Sequence, residues 1–285
     1  MRQQQTLNLK GKICSLSTPQ VMGIMNVTPD SFYSDSRVQG EQAMRERIEQ
    51  IISEGATMID IGGCSTRPGS QQPSMLEEKE RLIPALRLLR NEYPDLIVSV
   101  DTFHSTIARM AVEEYGVSII NDISGGEGDA NMFATVAQLR VPYILMHLKG
   151  GLEHMHAQHT YTPNVETEVL DYFIERTDRL RKLGVKDIIL DPGYGFSKTM
   201  SDNFRLFARA HQSLTSLQLP ILVGVSRKRM VWKTLDITPE EALNGTTILH
   251  TIALLRGGVS ILRVHDVRAA VEAVILTREV IQYNY

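Results

Sequence analysis

Short apolar runs rich in β-branched residues recur along the chain, each ending abruptly in polar residues or glycine. They are Val21 to Met25 before Asn26, Met58 to Ile61 before Gly62-Gly63, Leu96 to Val100 before Asp101, and Val117 to Ile120 before Asn121-Asp122. Then follow Tyr143 to Met146 before His147, Ile188 to Leu190 before Asp191, Ile221 to Val225 before Ser226, and Ile261-Leu262 before Arg263. Runs this short, apolar at almost every position, suit strands of a parallel sheet covered on both faces. Helical signals lie between them. Glu41 to Glu54 is closed by Gly55. Ser74-x-x-Glu77 is a capping box opening a helix to about Asn91. Val165 to Leu183 stops at Gly184, and Val267 to Val280 comes last. Thr238-Pro239-Glu240-Glu241 supplies a cap, a first-turn proline and two acids ahead of another helix.

Strand and helix thus alternate about eight times, which predicts an α/β fold, a (β/α)8 TIM barrel. A doubly wound sheet has fewer strands, and no G-x-G-x-x-G follows the first run. Residues 1–18 precede the first barrel strand and read as a hairpin or plug over the N-terminal mouth. The chain, 1–285, is expected to be a single domain.

Composition narrows the function classes. Thirty basic against 33 acidic residues leave a net charge of −3, which argues against a nucleic-acid partner without excluding a local basic pocket. Hydrophobic residues make up 42%, enough for a large core without disulfide or metal staples. Cys14 and Cys64 form neither a disulfide framework nor a metal-ligand spacing, so a reduced cytoplasmic setting is expected. The opening residues, MRQQQTLNLKGK, lack a signal-peptide core, and no window holds the ~18 apolar residues of a membrane span.

A barrel of this kind places its chemistry at the C-terminal ends of its strands. The residues there are Asn26, Asp101, Asn121, Asp122, His147, Asp191, Ser226, Arg263 and His265, a set dominated by Asp, Asn, Arg and His. Met22 to Phe32 reads MGIMNVTPDSF, with a turn signal at Thr28 to Ser31. Gly62 to Gly69 reads GGCSTRPG, a loop whose N–H groups, hydroxyls and arginine suit an anion. Leu190 to Lys198 reads LDPGYGFSK. The last two strands often supply a phosphate site, and Ser226, Arg227, Lys228, Arg263 and His265 would make it strongly cationic.

In their order along the chain, over about residues 20–270, these motifs resemble the dihydropteroate synthase family of pterin-binding barrels. The resemblance implies condensation of 6-hydroxymethyl-7,8-dihydropterin diphosphate with 4-aminobenzoate, giving 7,8-dihydropteroate and diphosphate, with Mg²⁺ assisting and usually a homodimer. A pterin presents a guanine-like edge of adjacent N–H donors, which a carboxylate accepts as a pair. By the family pattern Asp191 takes that role, with Asn121 and Asp101 as further ring contacts. Lys228 matches the donor to the pterin carbonyl and N5 side. Arg263 matches the guanidinium that stacks on the ring and faces the phosphates. Met146, Phe196 and Gly224 match pocket positions, although plain barrel core explains Met146 as well. Asn26 matches the Mg²⁺-linked residue, and Thr66, Arg263 and His265 the anion-binding set. Ser226 matches the aminobenzoate contact, and Arg67 and Pro68 lie on the loop expected to close over that substrate. Asn26, Asp101, Asp191, Lys228, Arg263 and His265 are the expected catalytic set. The chemistry expected is dissociative: diphosphate leaves from an exocyclic carbon whose charge the ring delocalises, and the arylamine then attacks.

Two positions depart from the pattern. Cys64 stands where relatives commonly carry Glu and reads as a packing residue. The loop after Phe32 reads Tyr33-Ser34-Asp35-Ser36-Arg37 where relatives often show Ser-Asp-Gly-Gly, which blurs the register of Asp35. His147 reads as a strand-end packing residue, His154, His156 and His159 as loop residues without metal spacing, and Asp122 as a partner of its own loop. Two other functions stay open. A pterin-binding methyltransferase domain would have no reason to keep the diphosphate cluster or the Ser65 to Gly69 loop, and a non-catalytic paralogue would tolerate Cys64.

Overall fold

A computed structural model describes residues 5–27, 37–64 and 72–283, with residues 37–39, 210 and 211 described through their backbone alone. Two strands, β1 (Thr6–Leu9) and β2 (Lys12–Ser15), come first. Eight more follow: β3 (Gln20–Asn26), β4 (Met58–Gly62), β5 (Ile97–Asp101), β6 (Ile119–Asp122), β7 (Tyr143–Met146), β8 (Ile188–Asp191), β9 (Ile221–Val223) and β10 (Val259–Val264). They close as a parallel barrel, β10 pairing with β3. Around it lie α1 (Arg37–Ser53), α2 (Met75–Glu92), α3 (Ser105–Tyr115), α4 (Met132–Leu139), α5 (Val165–Lys182), α6 (Met200–Leu214), α7 (Arg229–Leu235), α8 (Leu243–Arg256) and α9 (Val267–Gln282).

The two-residue period of a strand sorts each run between two cores. Ile59 and Ile61 pack outward among the helices, whereas Met58 turns into the barrel. Gly23 sits where α1 and α9 press closest on β3. A Cβ there would lie 2.7 Å from Ile51 and 3.1 Å from Val267, so the sheet-to-helix spacing needs glycine.

The lower barrel is filled by Met22, Met58, Ile119, Ile144, Ile189, Leu222 and Ile261. The antiparallel β1–β2 hairpin sets Leu7 and Leu9 on that layer, joined by Leu16. Burying such a leucine stabilises by ~2 kcal/mol, so the plug is a real share of the fold's stability. Gln5 accepts from the Ser260 hydroxyl at 2.8 Å and ties the hairpin to β10. With the N-terminal mouth closed, the C-terminal mouth is the open one.

One boundary differs from the sequence reading. Helix α8 starts at Leu243 rather than straight after Thr238. The Glu241 carboxylate accepts from the Thr238 N–H at 2.9 Å and its hydroxyl at 3.0 Å, closing a separate turn. The capping signal is therefore spent one turn early, and Ala242 becomes the residue before the helix.

Candidate active site

Ladder register brings Asn26 opposite Gly62, Gly62 opposite Asp101, and Asp101 opposite Asn121. Four strand ends thus share one rung at the open mouth. Arg263 reaches across from β10. Its Nε donates to Asp60 Oδ2 at 2.6 Å and its Nη2 to Asp101 Oδ2 at 2.9 Å. Asn121 Nδ2 donates to the same Asp60 oxygen at 3.0 Å. Asp60 is wholly buried, and its Oδ1 has no partner among the described residues. Leaving such an oxygen unpaired costs ~1–3 kcal/mol, which an incoming N–H donor would relieve. Burial pushes Asp101 up to about 7, against the pull of Arg263, with Asp60 adding to the rise. Burial works against the Arg263 charge, but Asp60 and Asp101 together raise its pKa.

On the other side stand Asp191 and Lys228. Asp191 is buried at the end of β8, and its Oδ1 accepts from the Gly193 N–H at 2.8 Å. Burial raises its pKa, opposed first by Lys228 and also by Arg263. Burial lowers Lys228 to about 8, opposed by Asp191. The Lys228 ammonium donates to the Tyr194 carbonyl and lies 4.6 Å over the Phe196 ring. Gly224 lies beside it, where a Cβ would make only an ordinary contact of 3.8 Å with Lys228 Nζ. Met146 and Phe196 belong to one apolar wall with Phe103, Ile123, Leu148 and Met155.

Ser226 and His265 form the third side. Ser226 Oγ accepts from the His265 N–H at 3.2 Å and lies 3.3 Å from Nδ1. Arg47 of α1 donates to the His265 carbonyl at 3.2 Å and to that of Ile24 at 3.4 Å, fixing two strand ends from outside. Asn26 is half-buried, and a Cβ on Gly62 would lie 3.5 Å from both its Oδ1 and Asp101 Cβ. Thr66, Arg67, Pro68 and Asp35, with the loops that carry them, lie outside the described residues.

Arg227 does not join the cationic cluster. It has a positive φ of 52°, and its guanidinium is bound bidentately to Asp266 at 2.6 and 2.9 Å. The inverted backbone turns it away from Lys228 toward α9, where its charge is already matched. Asp122 accepts from the Ser124 N–H and hydroxyl, the Gly126 N–H and the Tyr143 hydroxyl, and so closes its own loop. His147 Nδ1 lies 2.9 Å from Lys198 Nζ, and its ring meets Tyr172 edge-on at 4.7 Å. His156 stacks on Phe196 with centroids 6.0 Å apart. Among the described residues no group of three His, Cys, Asp or Glu is arranged to hold a metal ion.

Sequence reading missed three charged residues. Asp60 was hidden inside an apolar run; its only signal is an acid at an inward position two residues from Gly62. Lys198 is buried, donates to the Gly193 and Phe196 carbonyls at 3.0 and 3.2 Å, and so braces the loop after Asp191. Burial lowers it to about 7. Glu78, in the first turn of α2, is wholly buried beneath Cys64. Its place in an amphipathic helix gave no warning.

Comparison with known proteins decides the family. The pterin binding enzyme model matches residues 22–265. Dihydropteroate synthase of Escherichia coli is 38% identical over 266 residues, covering 93% of this chain and 92% of that protein. The chain belongs to the dihydropteroate synthases. The folic acid synthesis protein fol1 of Pneumocystis carinii is 41% identical over 254 residues, 87% of this chain, but the match spans only about a third (34%) of that longer protein. The Xanthomonas albilineans dihydropteroate synthase solved with 4-aminobenzoic acid superimposes with a TM-score of 0.88 at 36% identity, covering 98% of both chains. The barrel is thus that of a dihydropteroate synthase.

Proposed function

We propose that this chain condenses 6-hydroxymethyl-7,8-dihydropterin diphosphate with 4-aminobenzoate. The observation that carries the reading is the gathering at the barrel's C-terminal strand ends of Asp60, Asp101, Asn121 and Asp191 with Arg263 and Lys228. The acids and the amide suit the N–H edge of a pterin. The cations suit its carbonyl and the leaving diphosphate.

Asp191 accepts the paired N–H groups of the pyrimidinone edge, and Asn121 and Asp101 accept or donate along the rest of the ring. Lys228 donates toward the carbonyl and N5, between Asp191 and the Phe196 face. Arg263, held flat by two carboxylates, lies against the ring with its remaining donors free for phosphate oxygens. Met146, Phe196 and Gly224 shape an apolar slot that excludes water. His265 and Thr66 add donors at the anion end. As the C–O bond breaks, charge builds on the diphosphate where Arg263 and His265 stand, and positive charge spreads into a ring flanked by Asp101 and Asp60. The arylamine then attacks the exocyclic carbon from the side of Ser226, Arg67 and Pro68. No side-chain nucleophile takes part.

A magnesium ion fits the donor set. Asn26 offers a neutral hard oxygen at a strand end, and Mg²⁺ characteristically takes one or two protein oxygens and completes its shell with phosphates and water. Asn26 would hold it, and bound there it would neutralise the departing diphosphate. Two apolar strips support a homodimer. Ile248 and Leu255 on α8 and Ile275 on α9 are each about half exposed and Leu276 about two-thirds, an unusual concentration for a solvated face. No helix among the described residues is long and apolar enough to cross a membrane. Together with two unpaired cysteines, that supports a cytoplasmic enzyme.

The testing experiment is release of diphosphate from the pterin diphosphate with and without 4-aminobenzoate, and with and without Mg²⁺. Release that depends on the arylamine, and inhibition by sulfonamides that compete with it, is the expected result. Release indifferent to aminobenzoate contradicts the reading.

A further inference from the structure

Behind Asp101, outside the cavity just described, a second polar cluster is buried between α2, β4 and β5. Its centre is Glu78, with no exposed surface. The helix start that carries it is fixed by a full capping box between Ser74 and Glu77. The Glu78 stem lies against Gly63 so closely that a Cβ there would meet its Cγ at 2.9 Å and its carbonyl at 3.1 Å. Its carboxyl is bounded by the Cys64 thiol and the Thr102 hydroxyl, and His104 Nε2 stands 3.7 Å away. Among the described residues neither carboxyl oxygen has a partner at full hydrogen-bond geometry. Arg81, the nearest cation on its own helix, is turned to the Gly63 carbonyl at 3.1 Å. Thr102 in turn accepts from the His104 N–H at 3.2 Å, and its own N–H donates to the Asn121 carbonyl at 2.9 Å. One carboxyl group thus touches the exits of two adjacent strands, one of which carries Asp101.

We propose that Glu78 is a positioning residue for the condensation, tying the start of α2 to the ends of β4 and β5 and so holding Asp101 and the root of the second loop at Cys64 in register. This rests on the reading given under Proposed function. An anion without a matched cation is costly in this setting, so the working form is the uncharged acid. Burial pushes Glu78 up to about 7, with Thr102, Cys64 and Arg81 opposing the rise. Among the described residues, the titratable groups that face it are Cys64 on the β4 exit, Asp101 on the β5 exit, His104 before α3 and Arg81 on α2. Glu78 adds to the upward shift of Asp101, favouring its neutral form. Ionisation of Glu78 places a second negative charge beside Asp101 and strains both strand exits.

The test uses Glu78→Gln, which keeps the shape and stays neutral, and Glu78→Ala, which removes the tie. KM for 4-aminobenzoate and kcat are measured from pH 6 to 8 with the pterin diphosphate saturating. The ratio of kcat/KM for Glu78→Gln over wild type is expected to rise about fivefold or more across that range, because position 78 ionises there in wild type alone while Asp101 and Lys228 titrate in both proteins. Glu78→Ala is expected to raise KM about tenfold or more at every pH. A pH-independent Gln-to-wild-type ratio overturns the proposal. A second readout needs no turnover: alkylation of Cys64 by iodoacetamide in a Cys14→Ser background. Burial, then Glu78 and Asp101, hold the thiol's pKa up, so Glu78→Gln should speed labelling at pH 8 but not at pH 6. Equal labelling at both pH values overturns the proposal whether or not the condensation itself is observed. Faster labelling without arylamine-dependent release would leave the Glu78 tie standing and sink the functional reading alone.

Discussion

Asp60 shows how one side chain sets the electrostatics of the whole cavity. It takes the Arg263 Nε and the Asn121 amide on a single oxygen and keeps the other for an incoming donor. Removing its charge leaves Arg263 with Asp101 alone, so Asp60→Asn is expected to lower kcat by about 100-fold, a loss of ~3 kcal/mol of transition-state stabilisation. Steady-state kinetics check it, and an unchanged kcat would show that Asp101 suffices. Lys228 gives a pH prediction. Its folded pKa of about 8 lies below the ordinary lysine value. It is therefore charged below pH 8 and loses its proton as pH rises through 8, so pterin affinity should fall over that interval. Lys228→Arg, which stays charged, should move the fall upward; a profile that does not move would clear Lys228 of the titration. Asp191, Asn121 and Arg263 were legible in the sequence because each follows an apolar run directly. Asp60 and Glu78 were not, because an acid inside a buried strand, or on the buried face of a helix, looks like an interruption of pattern. Arg227 was misread because a sequence does not reveal an inverted backbone.

At the level of elements, strand positions and order were readable from apolar runs because buried parallel strands have no solvent face to break the run. Helix starts were less so. The Thr238 capping signal belongs to a turn that ends before α8, because Glu241 closes back on Thr238 instead of on the helix. Helix α2, with a complete capping box, began where its signal stood. The same helix carries a stability prediction. The Glu78 pKa rises on folding from the usual carboxylate range to about 7. The unfolded chain therefore releases its proton first, and wild type loses stability as pH climbs from ~4.5 to ~7. Glu78→Gln does not, so its melting temperature relative to wild type should climb over that interval and level off above it. Calorimetry at pH 5 and pH 8 decides the matter, and a constant difference would contradict the burial argument. The β1–β2 plug is independent of the chemistry. Leu7→Ala should cost ~2–4 kcal/mol in denaturant unfolding and leave kcat unchanged.

For the whole molecule, the plug closes one mouth and polar strand ends furnish the other, so the proposed condensation has one rim at which to hold both substrates. That division follows from the fold: inward positions low in the barrel are Met, Ile and Leu, and those at the rim are acids, amides and cations. The exposed Ile248, Leu255, Ile275 and Leu276 put the assembly prediction at this scale. For the proposed homodimer, Leu276→Glu combined with Ile248→Glu should shift sedimentation from dimer to monomer, and an unaltered sedimentation coefficient would contradict an interface on α8 and α9.

The central claim is that a carboxylate grips the heterocycle while cations across from it hold the polyanion. Calorimetric titration with the hydroxymethyl dihydropterin and with its diphosphate tests it most directly. The diphosphate is expected to bind wild type at least about tenfold tighter, Arg263→Ala to abolish the difference, and Asp191→Asn to weaken both ligands alike. Equal affinity of wild type for the alcohol and the diphosphate, or unchanged binding by Asp191→Asn, would contradict it.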